Sequence, residues 1–174
     1  LLGAARLVVA VNDIITAEPG RQVGTVGKLV PQPGAPNVIA GTVDMSLEIR
    51  DLDMNKVDRM FRRIEQAAKD IGEETGIGFT FDQYYESPAA DSDERIMSAT
   101  EQVAADLGLS TLRMPSGAGH DAQSFRDIGI LGMIFVPSRD GISHAPGEYT
   151  SPQQITNGAN VLLGTLTELD RRLD

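Results

Sequence analysis

Between Thr42 and Arg50 the chain alternates without a break. Val43, Met45, Leu47 and Ile49 are apolar, and Thr42, Asp44, Ser46, Glu48 and Arg50 are polar. A period of two sends the two sets to opposite faces of a strand, so the segment predicts a half-buried β-strand with Arg50 on its wet face near the end. The period then changes. From about Asn55, the residues Val57, Met60, Phe61, Ile64, Ala68 and Ile71 recur at helical spacing, and Gly72 and Gly76 mark the end. A strand with one face to cover, followed by a helix with one apolar stripe, points to a sheet backed by helices.

The flanking segments extend this pattern. A first helix is expected up to about Thr16, with Leu2, Ala5, Val9, Asn12 and Ile15 roughly lining one side, ended by Glu18-Pro19-Gly20. Val23 to Val30 has β character, Pro31, Pro33 and Pro36 turn the chain, and Ile77 to Tyr85 is expected to be another strand. The order αββαβ is that of a ferredoxin-like βαββαβ sandwich without its leading strand. The opening Leu1-Leu2-Gly3-Ala4-Ala5-Arg6 has no basic n-region, and Arg6 interrupts it, so a helix is expected there in preference to a signal peptide. It resembles a helix already under way, with neither an initiator Met nor an N-cap. Ser87-Pro88-Ala89-Ala90-Asp91 predicts a hinge, which divides residues 1–86 from residues 87–174.

Beyond the hinge, helices and strands alternate, the mark of an α/β segment with its sheet covered by helices. Asp91 with Glu94 three residues on forms a capping-box pattern for a helix from about Ser92 to Leu107. A short strand into Met114, a short helix from about His120 to Asp127 and an apolar strand from Leu131 to Val136 follow. The last helix has Ser151 as N-cap, Pro152 at its first position and Gln154 three residues after the cap. Its expected apolar stripe is Ile155, Ala159, Leu162, Leu166, Leu169 and Leu173.

Composition limits the functions such a chain can carry. Its 174 residues are 41% hydrophobic and 23% charged, as in a folded domain. Acidic side chains outnumber basic ones by 25 to 15, giving a net charge of −10 that argues against nucleic acid as a partner. Cysteine is absent, which excludes disulfides and thiolate metal sites and suits a cytoplasmic protein. No apolar run approaches the ~20 residues of a membrane span.

Three places carry candidate chemistry. In Pro115-Ser116-Gly117-Ala118-Gly119-His120-Asp121, glycines permit close approach of a ligand to the backbone, and His120 is expected at a helix start where amides favour anions. An oxyanion or carboxylate site and a plain strand-to-helix turn are both compatible with those residues. His144, in Gly141-Ile142-Ser143-His144, follows a strand end where α/β folds gather ligands; it is either a metal ligand near Asp140 and Glu148 or an exposed loop histidine. Arg50 is suited to bidentate carboxylate binding, with Asn37 just upstream of its strand, or else to a surface ion pair with Glu48 or Asp51. A catalytic zinc takes three protein ligands and a water. With two histidines and no His-Glu-x-x-His motif, a metal would need most of its ligands from outside this chain.

Taken in order, Asn37-Val38-Ile39-Ala40-Gly41 running into Ser46-Leu47-Glu48-Ile49-Arg50, then Ser116-Gly117-Ala118-Gly119-His120-Asp121-Ala122, then Gly141-Ile142-Ser143-His144 resemble the N-carbamoyl-L-amino-acid hydrolases. That group includes β-ureidopropionases and allantoate or ureidoglycolate amidohydrolases, within the aminoacylase/carboxypeptidase-like zinc peptidases. The resemblance implies a lid or dimerisation domain over residues 1–86 and the C-terminal part of a catalytic α/β domain over residues 87–174. It implies that Asn37 and Arg50 grip a substrate carboxylate, often across a homodimer. His120 would contact substrate near the metal, Gly117 and Gly119 would bring backbone groups to it, and His144 would be the last metal ligand. It further implies two Zn²⁺ or Mn²⁺ ions, a glutamate general base, and a small ureido or carbamoyl acid as substrate. The first metal ligands, that glutamate and a further lid histidine have no counterpart in this sequence, so the chain alone is expected to bind metal weakly and not to turn over substrate. An aminoacylase or dipeptidase of the same superfamily, and a non-catalytic dimerisation module, are the competing readings.

Overall fold

The structure, a computed structural model, describes Leu1 to Leu173, with the side chains of residues 172 and 173 outside the described set. It is a mixed α/β chain that divides into two compact units, Leu1–Ala89 and Ala90–Asp174. No helix among the described residues is long and apolar enough to cross a membrane.

The first unit is built on two helices, α1 (Leu2–Ala17) and α2 (Met54–Thr75). Asp53 caps α2 by accepting from the Asn55 amide at 2.9 Å. Gly76, at φ 71°, closes it in the left-handed conformation that a Cβ would oppose. The α2 stripe Met60, Ile64, Ala68 and Ile71 is buried as expected, with Val57 and Phe61 half-buried beside it. On α1 the inward face is Ala4, Leu7, Val11 and Ile15, one step around from the expected Leu2, Ala5, Val9 and Asn12. Leu2 and Val9 are 67% and 60% exposed. Apolar residues surround this helix on nearly every side, so periodicity does not select a face and the contact with α2 does.

Residues 23–50 form one antiparallel hairpin laid on this helix pair. Its four strands are β1 (Val23–Thr25), β2 (Leu29–Gln32), β3 (Thr42–Met45) and β4 (Glu48–Arg50). Val23 pairs with Arg50 and Thr25 with Glu48, then Leu29 with Met45 and Gln32 with Thr42. Between the two ribbons, Val26, Gly27 and Lys28 face only Ser46 and Leu47, so one extra residue bulges from the first arm. The predicted single strand over 42–50 is thereby split in two. Because the extra residue lies on the opposite arm, Met45, Leu47 and Ile49 still pack against the helices.

The strand expected over Ile77–Tyr85 is absent among the described residues. Phe79 packs on the core and Phe81 meets Phe61 edge-on at 5.4 Å, so alternate side chains are anchored as in a strand. A strand also needs a hydrogen-bonding neighbour, and no described residue pairs with this segment. Close packing holds it all the same: a Cβ at Gly72 would come within 2.6 Å of the Ile77 carbonyl oxygen.

Lys56 ties the loops at the base of this unit. Its ammonium donates to the Pro19 carbonyl at 2.9 Å, Gln22 Oε1 at 2.6 Å and Asp51 Oδ2 at 2.9 Å, which uses all three protons. Burial pushes the Asp51 carboxyl up, but the Asp53 amide, Lys56 and the Leu52 amide outweigh it and hold the group below its usual range.

The second unit pairs α3 (Glu94–Asp106) with α4 (Pro152–Leu173). Asp93, not the expected Asp91, caps α3, accepting from the Arg95 amide at 2.9 Å and from the Arg95 guanidinium at 2.9 and 2.8 Å. These bonds lower its carboxyl to about 2. Ser151 caps α4 as expected, taking the Gln154 amide at 3.3 Å. The helices meet over small residues: Ala99, Ala104, Val161 and Thr165 are buried, and Thr165 Oγ1 lies 3.3 Å from Thr100 Oγ1. The expected α4 stripe is therefore displaced. Ile155, Leu162 and Leu166 are 50–57% exposed, Ala159 is exposed and Leu169 half-buried; the side chain of Leu173 lies outside the described residues. The strands expected at Leu131–Val136 and ahead of Met114 have no ladder among the described residues, for the same lack of a partner.

Candidate functional site

The Ser116–Gln123 loop is held by its own side chains. His120 is extended, at φ −136° and ψ 145°, and precedes a five-residue 3₁₀ turn, Asp121–Phe125, shorter than the predicted helix. So short a turn supplies no aligned dipole, and the anion-binding helix start expected at His120 is not formed. A reciprocal cap is formed in its place. The His120 amide donates to Gln123 Oε1 at 2.9 Å, and the Gln123 amide, which donates to the His120 carbonyl at 2.9 Å, also faces the His120 ring in a capping box. Ser116 Oγ lies 2.7 Å from His120 Nε2, and Phe135 sets its ring against the imidazole at 69° and 6.3 Å between centroids.

The glycines of this loop are not there for a left-handed backbone, since neither Gly117 nor Gly119 has a positive φ. A Cβ on Gly117 would meet nothing within 4 Å, and one on Gly119 only Gln123 Oε1 at 3.6 Å. What the two glycines leave is open space where a side chain would otherwise stand.

His144 lies on an exposed turn with φ 55°, a left-handed conformation that costs a non-glycine residue on the order of 1 kcal/mol. Glu148 sustains that turn: its Oε2 accepts from the His144 amide at 2.8 Å, and its own amide donates to the Ala145 carbonyl at 3.0 Å. Glu148, which the sequence placed near His144, is thus engaged with the backbone of that residue. Upstream, Arg139 stacks over the Tyr149 ring at 5.3 Å and donates its amide to the Tyr149 carbonyl at 2.8 Å, which closes the base of the loop.

Asn37 and Arg50 belong to the first unit. Asn37 sits in the exposed loop joining β2 to β3, and Arg50 ends β4, so the hairpin holds them at different places along its length. Arg50 pairs with Glu48, Nη2 to Oε1 at 2.7 Å and Nε to Oε1 at 2.9 Å, with both side chains about half exposed. An exposed pair of this kind is worth about 0–1 kcal/mol. Asp51, the other suggested partner, is committed to Lys56.

Among the described residues no three His, Cys, Asp or Glu side chains gather as a metal site. The donor set of this chain does not fit a metal ion by itself, and His144 offers one imidazole. Sequence reasoning missed Ser116, Gln123 and Glu148 as partners of the histidines. Their spacings were available: Ser116 lies four residues before His120, Gln123 sits at the N3 position of a capping box, and Glu148 lies four residues after His144.

The model of peptidase family M20/M25/M40 matches residues 2–168, and the chain belongs to that family. Within it, the chain is 34% identical over 168 residues to the N-carbamoyl-L-amino acid amidohydrolase of Geobacillus stearothermophilus, covering 97% of this chain and 41% of that enzyme. It is 35% identical over 170 residues to the ureidoglycolate hydrolase of Arabidopsis thaliana, covering 97% of this chain and 36% of the relative. The crystal structure of AtUAH in complex with glyoxylate superposes with a TM-score of 0.89 at 35% identity, over 99% of this chain and 41% of that one. The chain therefore spans about two-fifths of the length of the proteins it matches.

Proposed function

We propose that this chain is part of a metal-dependent amidohydrolase that cleaves a linear C–N bond in N-carbamoyl-L-amino acids or related ureido acids. For a carbamoyl substrate, one water is consumed and the free amine, carbon dioxide and ammonia are released. The observation that carries the reading is the Ser116–Gln123 loop, where an imidazole fixed through both ring and backbone stands beside two glycines whose side-chain space is open. Relatives named as amidohydrolases of such substrates support it.

In this proposal the first unit is a lid that pairs two copies of the enzyme, and Arg50, with Asn37, takes the substrate carboxylate. The second unit belongs to the catalytic domain. His120 donates a hydrogen bond to a substrate oxygen, Gly117 and Gly119 let the substrate lie against the backbone, and His144 contributes one ligand to zinc or manganese held mainly by residues outside this chain. The enzyme is cytoplasmic.

The test is ammonia release from N-carbamoyl amino acids by the full-length enzyme. Production of ammonia supports the reading. Release of an amino acid from N-acyl substrates or dipeptides without ammonia would replace it with an aminoacylase or dipeptidase.

A further inference from the structure

The hydrogen bonds around His120 decide which ring nitrogen carries the proton. Ser116 Oγ, 2.7 Å from Nε2, has one proton and two lone pairs to distribute. It accepts the Ala118 amide at 3.2 Å and reaches the Ala118 carbonyl at 3.3 Å. With its proton on that carbonyl the hydroxyl offers a lone pair to the imidazole and Nε2 donates; with its proton on Nε2 the roles reverse, so the Ser116 side fits either tautomer. The opposite side of the ring makes the choice. The Gln123 N–H donates to the His120 carbonyl at 2.9 Å and is shared with the imidazole in the capping box, and a ring nitrogen that faces an N–H as acceptor carries no proton. With Nε2 engaged by Ser116, the accepting atom is Nδ1. The other tautomer would point an Nδ1–H at the Gln123 N–H and draw the Ser116 proton off the Ala118 carbonyl.

We infer that Ser116 and Gln123 lock the neutral His120 imidazole in its Nε2–H tautomer, which makes it a fixed hydrogen-bond donor and not a general base. Ser116 is the positioning residue. Its oxygen occupies the place that an acceptor-only ligand atom, a carbonyl or carboxylate oxygen, takes on Nε2 when it binds. That exchange rests on the function proposed above; the tautomer does not. The Phe135 ring meets the imidazole edge-on at 6.3 Å between centroids.

Two histidines make the inference directly measurable. The 174-residue chain is labelled with ¹⁵N-histidine and studied by long-range ¹H–¹⁵N correlation at about pH 8.5, about two units above the ordinary imidazole pKa. His144→Gln assigns the two spin systems. The expected His120 pattern is the Nε2–H tautomer at about nine-tenths of the population or more, the preference that one hydrogen bond supplies. Ser116→Ala should move it toward a mixture, and Ser116→Thr, which keeps the hydroxyl, should restore it. A predominantly Nδ1–H pattern, or a Ser116→Ala spectrum identical to the parent, overturns the lock. Should Ser116→Ala not fold, Ser116→Gly takes its place with the same expected shift toward a mixture. Absence of ammonia release with the Nε2–H pattern intact rejects the proposed function and leaves the lock standing; the reverse result rejects only the lock.

Discussion

The two units use paired helices in opposite ways. In the first, α1 and α2 bury Leu7, Val11, Ile15, Met60, Ile64, Ala68 and Ile71, and the hairpin adds Met45, Leu47 and Ile49 to the same cluster. In the second, α3 and α4 approach over Ala99, Ala104, Val161 and Thr165, while Leu112, Ile128, Leu162, Leu163 and Leu166 remain at least half exposed. The first unit thus makes a core from its own residues. The second keeps its helices close through small side chains and leaves most of its large apolar ones uncovered. The loops bearing His120 and His144 belong to that second, thinly packed unit, and local hydrogen bonds hold them where a core does not.

The sharpest test of the contrast is truncation at the centre of each helix pair. Ile64 is fully buried, so Ile64→Ala should cost about 3–4 kcal/mol in urea unfolding. Val161→Ala should cost only about 1 kcal/mol, because it removes less buried surface from a smaller contact. Equal losses would remove the distinction between the units. A second test asks what the hairpin of the well-packed unit is for. In the full-length enzyme, Arg50→Ala should raise KM by a factor equivalent to about 2–3 kcal/mol. A lost fold with unaltered KM would make Arg50 a structural residue.

Smaller effects refine the comparison. Lys56→Ala leaves Asp51, Gln22 and the Pro19 carbonyl without their shared donor, and should cost on the order of 1–3 kcal/mol, read from the same unfolding curves. The mildest effect is that of acid. Asp51 in the first unit and Asp93 in the second both have carboxyls held below the usual range. A lowered folded-state pKa gives stability that is present above the unfolded value, near 3.8, and lost as pH falls toward the folded one, about 2 for Asp93. Unfolding midpoints should fall across that window, and Asp93→Asn should flatten only the second unit's share. A midpoint independent of pH there would show that neither carboxylate matters to stability.

Where one face of an element was strongly marked in the sequence, the expectation held. The α2 stripe is clear because its other face is charged, and the Thr42–Arg50 alternation kept its inward face through a bulge that only the register reveals. Where apolar residues were plentiful, on α1 and α4, the expected face was displaced, because a helix apolar on several sides is oriented by its neighbour. The expected strands at 77–85 and 131–136 have strand-like composition, but a ladder is a property of two segments and not one.

At the candidate site, residue types and their order were enough to single out His120, His144, Asn37, Arg50, Gly117 and Gly119, since a glycine-flanked histidine or a strand-end arginine stands out in any chain. The tertiary structure alone decided how they are held. It put Ser116 on Nε2 of His120, placed Gln123 in a capping box, turned Glu148 onto the His144 amide and set Glu48 against Arg50. The physical reason is range. Side-chain chemistry is written residue by residue, whereas hydrogen-bond partners, inward faces and strand neighbours depend on distances that exist only once the chain has folded.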